Sequence, residues 1–424
     1  MSQKKQTAAI IGSSLTGLIL TLSLLHHGLY QPSEIKLYDL RSSDTVDPAS
    51  SSGVVLTPNG LKVLDSLGIL DRFGHLCWLS EYRTFKNDRD ETVRKTLIAN
   101  EGLYGYKNHR VWRRVLLNVL LEMVQESGVE IRWKSRFEGV VSEGEDQVVF
   151  KVNGQKQAVG MLIGADGIHS TVRKYLCLDV KPEYTGVLGV LSHIRWDAVQ
   201  WPYADYERAC TIQGKPGALV LMPEDRAGSV IMVAMQIKME EQSREKWEAL
   251  AKDKEWMSQY FRKGYEDWGD TAKSIIDAVT RDPETLYMWP FMRMARLERW
   301  YSDTGRVVIM GDAAHALPPS SGQGISQTLE DVYTFTELLK APHMKDWKTR
   351  LGFWQRLRQE RIDAVFDWAT NATNVQRLPQ ADRDKLVKEG KAKDANATEG
   401  FDDMRWLYRP EVDSKISDWL ESER

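Results

Sequence analysis

The sequence predicts an α/β protein, in which a discontinuous Rossmann-like domain with a parallel sheet is interrupted by an inserted mixed β-sheet domain and followed by a helical C-terminal region. Three observations point there. A strand, a glycine turn, a helix and a second strand open the chain over residues 8–38. Far down the chain another buried strand ends in Gly311-Asp312 and leads into a long helix. Between them, from Thr185 to about Met239, the pattern changes to short apolar runs separated by turns, as in a separate sheet.

Ala8–Ile11 reads as a buried strand, Leu15–His26 as a helix and Ile35–Tyr38 as the next strand, which together make a parallel βαβ unit. The apolar run Ala8 to Leu25 follows Lys4 and Lys5 and so shares the outline of a signal peptide. Gly12 and Gly17, with Ser13, Ser14 and Thr16 between them, fit a turn better than a membrane span, and no other stretch is long and apolar enough to cross a bilayer. Arg41 to Ser52 is polar and reads as an exposed loop. Pro58 to Phe73 carries Leu61, Leu64, Leu67 and Leu70 at helical spacing, and Val111 to Val124 reads as a further helix. Val129–Trp133, Phe137–Val141, Val148–Val152 and Leu162–Ala165 resemble strands, the last ended by the turn dipeptide Asp166-Gly167. Ala218–Met222 and Val230–Gln236 belong to the inserted sheet, and Glu240 to Val279 is polar and helical. Arg306–Met310 is a buried strand of parallel type, and Ser326 to about Leu339 is a long helix. The expected division is 1–75, 105–180 and 290–345 for the first domain, 76–104 and 181–289 for the inserted one, and 346–424 for the helical end, polar after Pro379 apart from Trp406, Leu407 and Tyr408.

Composition narrows the function. A chain of 424 residues fits two closely packed domains. Fifty-seven basic against sixty acidic residues, a formal charge of -3, favour neither nucleic acid nor an anionic membrane. Cys77, Cys177 and Cys210 form neither a disulfide framework nor a metal-ligand spacing, so the expectation is a reducing, cytoplasmic setting with no metal. The glycosylation sequons at Asn371 and Asn396 then read as chance.

Gly12-Ser-Ser-Leu-Thr-Gly17 lies between strand and helix. A dinucleotide turn needs small residues there, so that backbone N–H groups reach a pyrophosphate at the positive end of a helix. Ser14 stands where a middle glycine is usual, and Asp39, 27 positions after Gly12, ends the second strand where a carboxylate can accept bonds from a ribose. Gly12, Ser14, Leu15, Thr16, Gly17, Asp39 and Arg41 are therefore candidate nucleotide contacts, although an ordinary buried turn gives the same pattern.

The second motif is more specific: Gly305-Arg-Val-Val-Ile-Met-Gly-Asp-Ala-Ala-His315, continued by Ala-Leu-Pro-Pro-Ser-Ser-Gly-Gln-Gly-Ile-Ser-Gln-Thr-Leu-Glu-Asp331. It closely resembles the flavin- and ribitol-binding motif of the class A flavoprotein monooxygenases, the family of p-hydroxybenzoate hydroxylase and salicylate hydroxylase. The resemblance implies an FAD-binding first domain and a substrate-binding inserted one. It implies that Asp312 bonds the ribitol and that the helix starting near Gly324 points its N–H groups at the flavin N1–C2=O edge. A helix N-terminus favours negative charge there by about 1 kcal/mol. Gly311, Pro319, Gly322, Gly324 and Ile325 join the cofactor contacts on this ground, and Pro318 is placed beside the reactive face of the ring. Gly164-Ala-Asp-Gly-Ile-His-Ser-Thr-Val-Arg173 resembles the family's Asp-Gly segment, which gives Asp166 and Arg173 organising roles. Trp112-Arg113-Arg-Val-Leu116 resembles its arginine-led helix, and Arg113, rather than Arg114, takes the ribitol–pyrophosphate role. Gly53-Val-Val-Leu-Thr-Pro-Asn-Gly60 resembles a segment near the flavin.

The implied activity is that of an FAD-dependent monooxygenase, reduced transiently by NADPH or NADH because no second dinucleotide turn is present. It inserts one atom of O2 through a flavin C4a-hydroperoxide into an aromatic or phenolic small molecule, with monomer and homodimer both open. An alkene or indole epoxidase uses the same chemistry, and a non-catalytic FAD-binding protein is the reading from another class. A flavin-dependent halogenase would carry Trp-x-Trp-x-Ile-Pro, which does not occur. No substrate base is identifiable. His193, Arg195, Tyr203 and Tyr206 lie in the inserted sheet as candidates, though structural roles explain each of them better, and the twelve tryptophans from Trp196 onward could line a pocket for a polycyclic or prenylated substrate, with core packing explaining them equally well.

Overall fold

The structure, a computed structural model, describes residues 7–43, 52–341, 345–370, 377–389 and 403–422. Both sequons, most of the Arg41–Ser52 loop and parts of the C-terminal region fall outside them. The class is α/β, as expected, with several sheets and a helical C-terminal region.

The central sheet has five parallel strands in the order Val307–Ile309, Met161–Gly164, Ala8–Ile11, Ile35–Tyr38, Glu130–Arg132. Its three middle strands read Met-Leu-Ile-Gly, Ala-Ala-Ile-Ile and Ile-Lys-Leu-Tyr, nearly all apolar, as in a sheet covered on both faces. Helix Leu15–His26 packs against Arg113–Glu126 and Gly324–Leu339. An antiparallel meander of Phe137–Glu143, Val148–Val152 and Gln155–Val159 lies outside this sheet.

The second large sheet has seven strands in the order Tyr287–Met294, Pro182–Arg195, Val230–Lys238, Ala218–Pro223, Cys210–Gln213, Tyr82–Lys86, Thr92–Leu97. Strand alternation sorts its side chains. Leu188, Val190, Leu219, Leu221, Ile231 and Val233 form one core with helices Lys254–Arg262 and Asp270–Arg281. The alternate positions turn to the interior described below. A small antiparallel sheet has the order Gly53–Leu56, Asn108–Trp112, Trp78–Ser80.

Several boundaries differ from expectation for local reasons. The helix expected over Pro58–Phe73 stops at Ser66 and resumes at Leu70, because Gly68 adopts φ 67° and ends the first segment. The helix expected from Val111 starts at Arg113, since Val111 and Trp112 pair with Val54 and Gly53. Tyr287–Met294 straddles the expected domain boundary at residue 290 and pairs with Pro182–Arg195. Trp347–Trp368, Gln380–Lys388, Arg405–Tyr408 and Val412–Glu421 supply the C-terminal helices. Among the described residues no helix is long and apolar enough to cross a membrane, and the three cysteines are free thiols.

Candidate active site

Two turns meet, one after Ala8–Ile11 and one after Val307–Ile309, strands that flank Met161–Gly164 in the central sheet. At the first, Gly12 has φ 102° and donates its N–H to the Tyr38 carbonyl at 2.8 Å. A Cβ on Gly12 would sit 2.4 Å from the Ala165 carbonyl oxygen, and one on Gly17 would sit 2.0 Å from that of Gly12, so neither position has room for any side chain. At the second, Gly311 has φ 60°, and a Cβ there would come within 2.7 Å of Thr16 Oγ1 and 3.0 Å of Thr328 Oγ1. The segments around residues 12 and 311, remote in sequence, are thus in contact.

Asp39 secures the first turn. Its carboxylate accepts from Ser13 N at 2.8 Å and Ser13 Oγ at 2.7 Å, and from Arg41 through the backbone N at 2.8 Å, Nε at 3.0 Å and a terminal guanidinium nitrogen at 2.9 Å. Burial pushes its pKa up, but these donors outweigh it and draw it down to about 2. Asp166 is also engaged within its own segment, accepting from Ser170 Oγ at 2.5 Å and from the N–H groups of Thr171 and Val172. Burial raises its pKa despite those donors. Arg173 ties this segment to the second turn, bonding the Ala313 carbonyl at 2.9 Å and that of Ile168 at 2.7 Å.

Below the second turn lies a buried charge network. Gly311 N donates to Asp331 Oδ2 at 2.9 Å, and His315 Nε2 meets the same oxygen. Arg358, fully buried, bridges Asp331 at 2.8 Å and Glu330, and Arg361 adds a bond to Glu330 at 2.7 Å. Arg361 also donates to the carbonyls of Trp406 and Leu407, tying the C-terminal segment to helix Gly324–Leu339.

A cavity of about 720 Å³ opens from these turns and extends to the inner face of the seven-stranded sheet. Ser14, Leu15, Thr16, Arg41, Arg113, Asp312, Pro318, Pro319, Gly322, Gly324 and Ile325 line it, so eleven of the sequence-derived candidates share one space. Gly12, Gly17, Asp39 and Gly311 brace its walls from behind, and Asp166 contributes its neighbour Gly167 rather than itself. The Arg113 guanidinium has no hydrogen-bond or ion-pair partner among the described residues. Burial lowers its pKa, which the nearby Asp312 opposes. A half-buried cation lining the same cavity as the glycine turns and a helix N-terminus suits an anion.

Residues 5–369 match the family described as FAD binding domain. The chain is a class A FAD-dependent monooxygenase. It is 26% identical over 413 residues to 3-amino-4-hydroxybenzoate 2-monooxygenase PtnB3 of Streptomyces platensis, covering 96% of this chain and 97% of that protein. It is 24% identical to a salicylate hydroxylase of Pseudomonas putida, covering 78% and 76% respectively. Its fold superposes on the crystal structure of Klebsiella pneumoniae HpxO complexed with FAD and uric acid with a TM-score of 0.75, at 19% identity and 97% coverage of both chains.

At the other end of the cavity of this monooxygenase, sequence reasoning placed its candidates less well. Arg195 is exposed and paired with Asp197 at 2.6 Å, away from the cavity. The Tyr203 hydroxyl accepts from Lys86 Nζ at 2.8 Å, and Tyr206 donates to Asp90 at 2.9 Å and has its pKa raised mainly by burial. Both belong to an aromatic cluster around the buried Lys86, outside the cavity lining. His193 continues the inward-facing series of Gly189 and Leu191 but stands behind the wall, with Nε2 3.1 Å from Glu224 Oε1 and its ring close to Trp112 and Tyr287. Of the tryptophans from Trp196 onward only Trp289 and Trp368 reach the cavity; Trp300 and Trp354 fill the core and Trp196 stacks on Trp201.

Several wall residues had no local signal. Glu224 is wholly buried, bonded by Arg110 at 2.7 Å and Ser52 at 3.1 Å; burial pushes its pKa up, and Arg110 and His193 more than offset that. These four groups come from four separate segments, two within strands and two just beyond strand ends, so no spacing reveals them. Gln236 lines the cavity with Oε1 buried and lacking a hydrogen-bond partner among the described residues. Met222 and Met232 provide an adaptable apolar surface beside it. No cluster of three or more metal-ligating side chains occurs among the described residues.

Proposed function

We propose that this monooxygenase hydroxylates a small aromatic, phenolic molecule, using NADPH or NADH as reductant and O2 as the oxygen source, in the cytoplasm and as a monomer or homodimer. The observation that carries the reading is the single cavity of about 720 Å³ joining the two glycine turns to the apolar inner face of the seven-stranded sheet. Relatives named for hydroxybenzoate and salicylate substrates support the same class.

FAD fits the cofactor end: the two turns exclude side chains where backbone must lie flush with a ligand, and Arg113 offers an unbalanced cation to a pyrophosphate. When bound, FAD supplies hydride acceptance from the nicotinamide and the activation of oxygen. The protein does the rest. Asp312 is placed to accept from ribitol hydroxyls, and the N-terminus of helix Gly324–Leu339 to favour negative charge at the ring edge. Leu191, Val220, Met222 and Phe291 exclude water and hold an aromatic ring, and the free Gln236 acceptor can orient a phenolic hydroxyl.

Asp312→Ala tests the cofactor end. The variant is expected to stay folded by circular dichroism yet lose most bound flavin, and full yellow colour in that protein would reject the assigned role. NADPH and NADH oxidation with a library of phenols and indoles tests the activity. Bound FAD without substrate-stimulated oxidation would favour a non-catalytic flavoprotein instead.

A further inference from the structure

Two sheets contribute to the cavity wall: Ser52, Gly53 and Arg110 come from the small antiparallel sheet and its entry, and Leu191, Met222 and Met232 from the seven-stranded one. One carboxylate behind the wall joins them. Glu224, directly after strand Ala218–Pro223, is wholly buried. Its Oε1 accepts from Arg110 of strand Asn108–Trp112 at 2.7 Å and from Ser52 Oγ, just before strand Gly53–Leu56, at 3.1 Å. Its Oε2 lies against Gly53, where a Cβ would come within 1.8 Å of it, so only glycine fits beside the carboxylate.

His193 is the third partner of the same oxygen. It belongs to strand Pro182–Arg195, does not line the cavity, and brings Nε2 within 3.1 Å of Glu224 Oε1, with 13% of its side chain exposed. Its ring meets Trp112, the neighbour of Arg113, at 4.8 Å and Tyr287 at 5.7 Å. Among the described residues, Glu224, Tyr287 and, across the carboxylate, Arg110 are the titratable and charged groups about it. With His193 neutral, Arg110 and Glu224 balance each other, as a buried pair requires. A proton on the imidazole sets a second cation against one carboxylate oxygen. The bond from His193 strengthens, and it competes with Arg110 and Ser52 for the same lone pairs.

We propose that Glu224 is a positioning residue, which clamps the seven-stranded sheet to the Ser52–Gly53 entry of the small sheet where both line the cavity, and that His193 loosens this clamp when it takes up a proton. The inference rests on the reading of the cavity as shared by flavin and an aromatic substrate, and it adds what holds the two walls in register. A wall that yields admits water and misplaces the substrate. The two electrons of NADPH then reduce O2 to hydrogen peroxide instead of supporting hydroxylation.

The test uses the full-length, FAD-loaded protein. Hydrogen–deuterium exchange of residues 53–56 is followed by mass spectrometry from about pH 5 to pH 8, where histidines titrate, and corrected for the intrinsic effect of pH. In the unmodified protein this segment is expected to exchange faster at the acid end. Glu224→Gln keeps the shape but not the charge, and should speed exchange about tenfold or more at the alkaline end while flattening its pH dependence. His193→Gln keeps a donor that cannot take up a proton, and should hold the slow rate across the range. Ser52→Ala removes one bond, should fall between, and gives a second reading if Glu224→Gln folds poorly. The share of oxidised NADPH recovered as hydrogen peroxide, measured with the phenol turned over fastest, should follow the exchange rates. A pH step that survives in His193→Gln, unchanged exchange in Glu224→Gln, or a peroxide share that ignores both variants would each overturn the clamp. If no FAD is held or no phenol is turned over, the functional reading fails on its own, while exchange still decides whether Glu224 and His193 control the segment.

Discussion

The two ends of the cavity differ in how their polar groups are spent. At the cofactor end nearly every charge is already committed within the protein. Asp39 holds the first turn through Ser13 and Arg41, Asp166 holds its own turn, and Glu330 and Asp331 are bridged by Arg358 below the second turn. Among the described residues Arg113 and Asp312 are the exceptions, and they lie where a pyrophosphate and a ribitol are expected. At the substrate end, Arg377 and Gln236 face the cavity without protein partners among the described residues, on a wall of methionine and aromatic side chains. A pre-satisfied scaffold fixes one cofactor in one pose, whereas unspent groups on an adaptable wall wait for a ligand to complete them.

That contrast can be broken by experiment. Arg358→Ala removes the guanidinium that joins two buried carboxylates, leaving Glu330 with Arg361 and Asp331 with His315, and should cost about 3–5 kcal/mol of stability, read from urea unfolding midpoints. A loss below about 1 kcal/mol would mean the network is not what makes the cofactor end rigid. Arg113→Ala removes a cation with no hydrogen-bond or ion-pair partner among the described residues, so unfolding stability without cofactor should not fall, yet FAD should dissociate about ten- to a hundredfold more readily in equilibrium dialysis. Loss of stability without loss of affinity would move Arg113 to the scaffold side of the comparison.

The smallest effect concerns Asp39. Its folded pKa, about 2, lies below the ordinary 3.8, so ionised Asp39 stabilises the fold above about pH 4, and that contribution is lost as pH falls towards 2. The amount is about 2 kcal/mol. Asp39→Asn should therefore flatten the acid dependence of stability between pH 4 and pH 2, and an unchanged acid limb would show that the turn is held by something else.

The same division explains what could be read from the sequence. The strands Ala8–Ile11 and Val307–Ile309 are continuous apolar runs leading to glycine, and the turn chemistry at Gly12 and Gly311 is dictated by backbone approach, so both show in local sequence. The role expected for Asp39 was less legible, since its carboxylate is occupied by Ser13 and Arg41 and only the folded turn displays that. In the seven-stranded sheet, strands such as Thr92–Leu97 carry charged residues at exposed positions, and Tyr287–Met294 contains Pro290, so neither gives a clean alternation. Arg110, His193 and Glu224 meet only through tertiary pairing, and Arg195 looked equivalent to His193 because the sequence does not say that the strand ends there in solvent.

The hold of Arg361 on the Trp406 and Leu407 carbonyls has a further consequence, because Tyr408, the very next residue, closes part of the cavity wall. One guanidinium fastens a panel supplied by the far end of the chain. Relatives could thus exchange that terminal panel to recast the shape of the chamber while inheriting the flavin cradle untouched, and an engineer seeking new specificity would do well to begin there.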